Sequence, residues 1–265
     1  MLLEIGPSDD RIVYGIGMNS EILTNADLAH SRQRSIWNEE HRNPFMFPFV
    51  DSSVPNPGVV EFWRWLAEHG KRPPCTGLEI CCGKGRNTIW MAGRSARMSG
   101  FDFSEIAIQE AETRQSKLPL EIRVDFKVCD ATGSWPYDDE AFDFVVDCFG
   151  SSDIESEQGR IHVMKEAERV LKPGGHYFLQ IDSPEMGFFL DRMNEAPGFE
   201  RNTLVFPNGK VEAFLTEDDI VAWNHSLELV EVRREIETAL EIFGQATPYK
   251  YYWIVAKKRL TVSRY

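Results

Sequence analysis

No apolar run in these 265 residues approaches the ~18 needed to cross a bilayer, and no basic stretch followed by an apolar one opens the chain. A soluble, unexported, cytoplasmic protein is therefore expected. C-x-x-C is missing, which excludes a thiol redox pair of that type. The five cysteines, Cys75, Cys81, Cys82, Cys129 and Cys148, are an odd set without the spacing of a secreted disulfide framework. Reduced thiols are the simplest account. Positive charge is in deficit: 42 Asp and Glu against 29 Lys and Arg leave a formal net charge of -13, which repels a phosphate backbone and points away from nucleic acid toward a small molecule. Internal repeats, low-complexity tracts and flexible linkers are absent as well.

What is present suffices for one core, since 42% of the residues are hydrophobic and seven are Trp. From residue 76 to 183 short apolar runs alternate with helical patterns, the signature of strand-helix-strand units in a parallel sheet. The expected strands are "TGLEIC", "ARMSGFD", "LEIRVDFKVCD", "FDFVVDCFG" and "GGHYFLQID". Helical character lies in "KGRNTIWMAGR", in "SEIAIQEAETRQSK" with Ser104 as N-cap, and in "EQGRIHVMKEAERVL". The last of these places Ile161, Met164, Ala167 and Leu171 on one stripe and is stopped by Pro173 and the Gly174-Gly175 turn. Residues 1–75 contain an amphipathic helix, "GVVEFWRWLAEHG", and an aromatic loop, "NPFMFPFVDSSVPNPG", expected to form a lid or collar on a main domain spanning 76–265. Within that domain, 184–215 reads as an inserted cap. Its Asn208-Gly209 between alternating apolar residues is a hairpin signal. A helix, "TEDDIVAWNHS", and two strands, "LELVEVRREIETAL" and "YKYYWIVAKKRL", complete the chain as an edge hairpin.

The stretch "LEICCGKGRNTIW", residues 78–90, admits four chemistries. A phosphate loop needs G-x-x-x-x-G-K-[ST], but five residues separate Gly77 from Gly83, and Gly85 stands where the hydroxyl belongs. Zinc needs thiolates a couple of residues apart, whereas Cys81 and Cys82 are adjacent and diverge on a strand. No metal is expected, and small core-forming cysteines are the simpler account. A dinucleotide turn, G-x-G-x-x-G, would start at Gly83 and Gly85, but Thr88 replaces its third glycine.

"LEICCGKGR" resembles the first motif of class I S-adenosylmethionine-dependent methyltransferases, an acidic residue followed by G-x-G-x-G, with Cys81 in place of the first glycine. The resemblance continues in order through "SGFDFSEIAIQEA", "VCDATGSWPYDDEAFDFVV" and "EAERVLKPGGHYFL", covering residues 76–182. It is nearest to small-molecule enzymes of the tellurite-resistance and ubiquinone-biosynthesis types. The resemblance implies an α/β, Rossmann-like, doubly wound seven-stranded sheet of order 3-2-1-4-5-7-6 with its last strand antiparallel, carrying a helical lid and an inserted hairpin. It implies S-adenosyl-L-methionine as methyl donor, S-adenosyl-L-homocysteine as product, and a small-molecule acceptor.

On that resemblance Glu79 holds the glycine turn, formed with Cys81, Gly83 and Gly85, and the methionine amino group; Asp102, 19 residues past Gly83, takes the ribose hydroxyls. Phe103 lies on the adenine, Asp130 with the backbone of Ala131 reads its amino group, and the backbone from Asp147 to Phe149 lines the methionine portion. Taken singly, Asp102 reads equally as a helix cap, Asp130 as a turn residue and Phe103 as core; their joint order and spacing make the set. In-line methyl transfer needs alignment and dryness, with a base only for a poorly ionised acceptor. His41 and His225 are the candidate bases, each also readable as a capping or surface residue. Trp37, Phe45, Phe47 and Phe49 from the lid, and Phe188 and Phe189 from the insertion, are candidate acceptor walls, some of them packing only. Rival functions are an RNA (cap-type) or protein methyltransferase, and a non-catalytic cofactor-binding partner subunit. The [DN]-P-P-[YFW] motif of amide- and exocyclic-nitrogen methylation is replaced by "DCFG".

Overall fold

The computed structural model describes residues 25–43, 48–71, 73, 75–185, 200–223, 227–242 and 245–260. Nine strands are described: β1 (Cys75–Ile80), β2 (Ala96–Asp102), β3 (Val124–Val128), β4 (Phe142–Cys148), β5 (Leu171–Asp182), β6 (Thr203–Val205), β7 (Val211–Ala213), β8 (Leu227–Ile242) and β9 (Gln245–Lys258). Six helices accompany them: α1 (Asn25–Arg42), α2 (Pro57–Glu68), α3 (Arg86–Ala92), α4 (Glu105–Ser116), α5 (Glu157–Val170) and α6 (Glu217–Trp223). Among the described residues no helix is long and apolar enough to cross a membrane.

Seven strands form one sheet in the order β3-β2-β1-β4-β5-β9-β8. β1 to β5 pair in parallel, and β9 lies antiparallel between β5 and β8. With β8 and β9 as sixth and seventh main-sheet strands, this is the order expected from the resemblance. The direction of winding reverses between β1 and β4, and there a parallel sheet opens a crevice at its carboxyl edge.

Both faces are covered because β1, β4 and β5 are apolar on both sides. On one face Phe62 of α2 stacks on Phe178 at 4.7 Å between ring centres, with Met91 of α3 and Ile108 and Ala111 of α4 in the same cluster. On the other, Val163, Ala167 and Val170 of α5 pack with Val145, Tyr177 and Ile181. A buried side chain of this size contributes about 1.5–3 kcal/mol. Asn56 caps α2, its side chain accepting from the Gly58 N–H at 2.8 Å, with Pro57 as first helical residue.

Three local expectations change. Cys81 has left the strand, with φ +47°, so the two cysteines belong to a turn. The third strand is confined to Val124–Val128, because a turn bonding the Ile122 N–H to the Pro119 carbonyl precedes it. Pro173 and Gly174 end α5 as expected but lie inside β5, where the pairing advances two residues along β4 and five along β5, a bulge that absorbs them. α1 carries few apolar residues and no sequence pattern announced it. The Asn208-Gly209 turn does join paired strands, β6 and β7.

Candidate functional site

The turn after β1 is held by its own backbone. Cys82 N–H donates to the Phe101 carbonyl at 2.9 Å, and Gly85 N–H to the Cys82 carbonyl at 3.0 Å. Gly85, at φ +76°, begins α3 where a Cβ would stand 2.7 Å from the Phe126 ring, so only glycine lets this helix settle on the sheet. Cys81 takes a left-handed conformation usually left to glycine, at a cost of about 1–2 kcal/mol. Its side chain fills the space above Gly150.

Carboxylates at the strand tips organise the loops around this turn. Asp102, at the end of β2, accepts from Gly83 N–H at 2.9 Å and from Ser104 N–H at 2.8 Å, while its carbonyl accepts from Cys129 N–H at 3.0 Å. One side chain thus ties the loops after β1 and β2 together. Asp130 forms a turn with Thr132, whose N–H and hydroxyl donate at 2.9 and 2.8 Å. Arg34 of α1 reaches the other Asp130 oxygen at 3.7 Å and stands 5.9 Å from the centre of the Phe103 ring. Buried Glu79 accepts from Asn87 at 2.8 Å and from Thr88. Burial pushes its carboxyl up to about 7, against those two hydrogen bonds and Arg86.

These groups border one cleft at the sheet's switch point, about 1040 Å³ of atom-free space with its open mouth included. That is ample for a nucleoside carrying an amino-acid tail. Of the residues expected from sequence, Glu79, Cys81, Gly83, Asp102 and Phe103 line it on one side, with Asp130 and Ala131 beside them. Trp37 and His41 line it from α1. Gly85 serves the packing of α3 instead. Asp147 is placed elsewhere: its fully buried carboxylate accepts from Ser151 N–H at 3.0 Å and Tyr177 hydroxyl at 2.7 Å, anchoring the loop while Cys148 and Phe149 reach the cleft. Phe45, Phe47, Phe188, Phe189 and His225 lie outside the described residues, and of Phe49 only the backbone, in a 3-10 turn at Pro48–Asp51, is described.

His41 is 6% exposed. Burial lowers its pKa below 6.5, partly opposed by Asp102, so it is neutral at neutral pH. Lys84, the lysine that suggested a phosphate loop, pairs with Asp51 and so fastens the amino-terminal segment to the turn. Sequence reasoning missed Arg34, Asp51, Asp153 and Lys210 as parts of this site. Only Lys210 left a signal: in "NGKVEAF" it alternates with Glu212 on one face of a strand whose neighbours are apolar.

The cleft fits a sulfonium nucleoside. A Cβ at Gly83 would find only His41 Cε1 at 3.6 Å, so that backbone lies open to a ligand, and Trp37 Nε1 and His41 Nδ1 are buried without a hydrogen-bond partner among the described residues.

Residues 78–175 match the family described as "Methyltransferase domain". A 27-O-demethylrifamycin SV methyltransferase of Amycolatopsis mediterranei is 35% identical over 112 residues, 40% of each chain. A demethylmenaquinone methyltransferase of Bacillus cytotoxicus is 33% identical over 139 residues, 48% of this chain and 56% of that protein. The chain thus spans about half the length of the curated relatives it matches. Burkholderia thailandensis 1,6-didemethyltoxoflavin-N1-methyltransferase, solved with 1,6-didemethyltoxoflavin and S-adenosylhomocysteine, shares the fold at TM-score 0.64 and 14% identity, over 91% of this chain and 93% of that one. These matches give the chain a methyltransferase domain at residues 78–175, similar to S-adenosylmethionine-dependent methyltransferases and built on a sheet whose fold the solved neighbours share.

Proposed function

We propose that this protein transfers a methyl group from S-adenosylmethionine to a small-molecule acceptor by in-line displacement. The observation that carries this is the convergence of Glu79, Asp102 and Asp130, one from each of three neighbouring strand ends, on a single cleft behind a glycine turn. When bound, the cofactor supplies an electrophilic methyl carbon on a positively charged sulfur. Glu79 would hold the amino group of the methionine portion, Asp102 the ribose hydroxyls through its remaining lone pairs, and Asp130, Ala131 and Phe103 the adenine.

The other contributions are position and dryness. α1 crosses the mouth, Ser104 hydroxyl donating to Asn38 at 2.6 Å below it. Gln33 clamps the β6–β7 hairpin above, donating to the Gly209 carbonyl at 2.9 Å and accepting from Val211 N–H at 3.1 Å. α1 and the β6–β7 hairpin, the described parts of the lid and insertion that flank the cleft, would act as a cap, excluding water and holding nucleophile and methyl carbon in line.

Calorimetry with S-adenosylhomocysteine tests the proposal: saturable binding is expected, weakened at least about tenfold by Asp102→Ala, the loss expected for a charged hydrogen-bond partner. Absence of binding heat in the unmodified protein would sink it. Release of S-adenosylhomocysteine with small acceptors separates an enzyme from a binding subunit.

A further inference from the structure

Beyond the tip of β4 the cleft has a second wall. Phe149 is held at φ +64°, its N–H bonded to the Gln180 carbonyl at 2.8 Å, a strained conformation of the kind that clusters at functional sites. A 3-10 turn, Ser151–Asp153, follows and brings Asp153 to the cleft. The hairpin lowers Lys210 onto it, Nζ lying 2.8 Å from Asp153 Oδ1, 3.2 Å from Glu212 Oε2 and 4.5 Å from the centre of the Trp37 ring. Lys210 and Glu212 side chains are 4% and 6% exposed, whereas Asp153 keeps 26%. One buried cation therefore serves two carboxylates, and Asp153 is the one that a ligand can meet.

Two further atoms on this wall call for a ligand. Trp37 Nε1 and His41 Nδ1 have no hydrogen-bond partner among the described residues, yet both side chains border the cleft. A buried unpaired polar group costs about 1–3 kcal/mol, and indole N–H only donates. A complementary molecule must present an oxygen to Trp37 and a proton to Asp153, against apolar Phe149 and Ile154. An ammonium meets the second requirement and not the first.

We propose that Asp153, backed by Lys210, accepts the proton of a hydroxyl-bearing acceptor; this rests on the methyl-transfer proposal above. The hydroxyl proton passes to the Asp153 carboxylate. The acceptor oxygen forms the new O–C bond as the methyl–sulfur bond breaks, its electron pair staying on sulfur, which leaves as a neutral thioether. Burial pushes Asp153 up to about 7, Lys210 opposing and Glu212 and Asp102 reinforcing, and its charge in turn helps to raise the Cys81 thiol in the turn after β1. A base tuned near neutrality suits a weakly acidic hydroxyl.

The test uses the full chain saturated with S-adenosylhomocysteine and 4-nitrocatechol as a coloured probe, at neutral pH, where the Asp153 carboxyl is ionised enough to take a proton. Saturable binding with an absorbance shift toward the phenolate is expected. Asp153→Asn should abolish the shift and weaken probe binding about tenfold, while Trp37→Phe weakens binding about threefold and keeps the shift. Affinity for S-adenosylhomocysteine should stay within about twofold in Asp153→Asn, which also shows that the variant is folded. The proton-acceptor role of Asp153 is overturned if the unmodified, loaded protein gives no saturable shift, or if Asp153→Asn retains it. Failure of S-adenosylhomocysteine itself to bind removes the methyl-transfer proposal as well, so the two failures are distinct.

Discussion

Cys81 and Gly150 occupy one space between the tips of β1 and β4: a Cβ on Gly150 would stand 2.8 Å from the Cys81 Cβ and 3.1 Å from its Sγ. The residue that replaces glycine in the first turn is matched by a glycine in the facing loop. Gly150→Ala should therefore cost about 1–3 kcal/mol in overpacking. In a Cys81→Gly background most of that cost should vanish, leaving the contact with Asp147 Oδ1 at 3.0 Å. Urea denaturation of the four proteins in this double-mutant cycle measures the coupling, expected at about 1 kcal/mol or more. Strictly additive effects would show that the two residues do not share the space.

Glu79 gives the protein a pH signature. Its folded carboxyl is pushed up to about 7 from 4.5, so the stability it contributes is fully present below 4.5 and is lost as pH rises through about 7. Affinity for a cationic amino group runs the opposite way, strengthening as Glu79 ionises and approaching about tenfold per pH unit below its folded value. Glu79→Gln should flatten both profiles. Calorimetric titrations of S-adenosylhomocysteine across this window check the second, and an affinity that does not change with pH in the unmodified protein contradicts it.

Three thiols report on the cleft. Cys81, Cys82 and Cys148 line it, and burial pushes all three thiols well above their ordinary range; Cys129 is not part of this wall. Slow maleimide labelling is expected at each, and at least one should be protected further by saturating S-adenosylmethionine. Cys75, at the opposite end of β1 and pushed up to about 11, serves as the internal control. Mass spectrometry of the labelled peptides reads the outcome; equal rates with and without cofactor at every cysteine would refute cofactor shielding.

Gln33 joins α1 to a hairpin 176 to 178 residues away. Gln33→Ala removes both bonds and leaves a buried carbonyl and N–H unpaired, a local cost of about 1–3 kcal/mol. Faster hydrogen exchange at Val211 is expected, with the amides of β4 unchanged because they belong to the central sheet. Equal exchange at both places would mean that Gln33 does not hold the cap.

Much of the sheet was legible because β1, β4 and β5 are buried on both faces and read as short apolar runs, and because Asn208-Gly209 announces its hairpin. α1 was not legible. Its sequence, "NADLAHSRQRSIWNEEHR", is largely polar, since it spans a cleft instead of lying on a core and shows no broad apolar stripe. Asp147 illustrates the converse failure: a carboxylate at a strand end looks the same in sequence whether it faces a ligand or, as here, turns to Ser151 and Tyr177.

By itself the sequence determined the parallel core and the acidic residues at the strand tips, because short apolar runs, glycine turns and N-caps are local and act through the backbone; the strand order and its switch point came with the family resemblance. Tertiary structure alone decided that Lys84 would be spent on Asp51, and that Lys210, Asp153 and Trp37 would meet over the cleft. Those partners are tens to more than a hundred residues apart, and whether a charge is buried, paired or open to a ligand depends on which loops are folded over it.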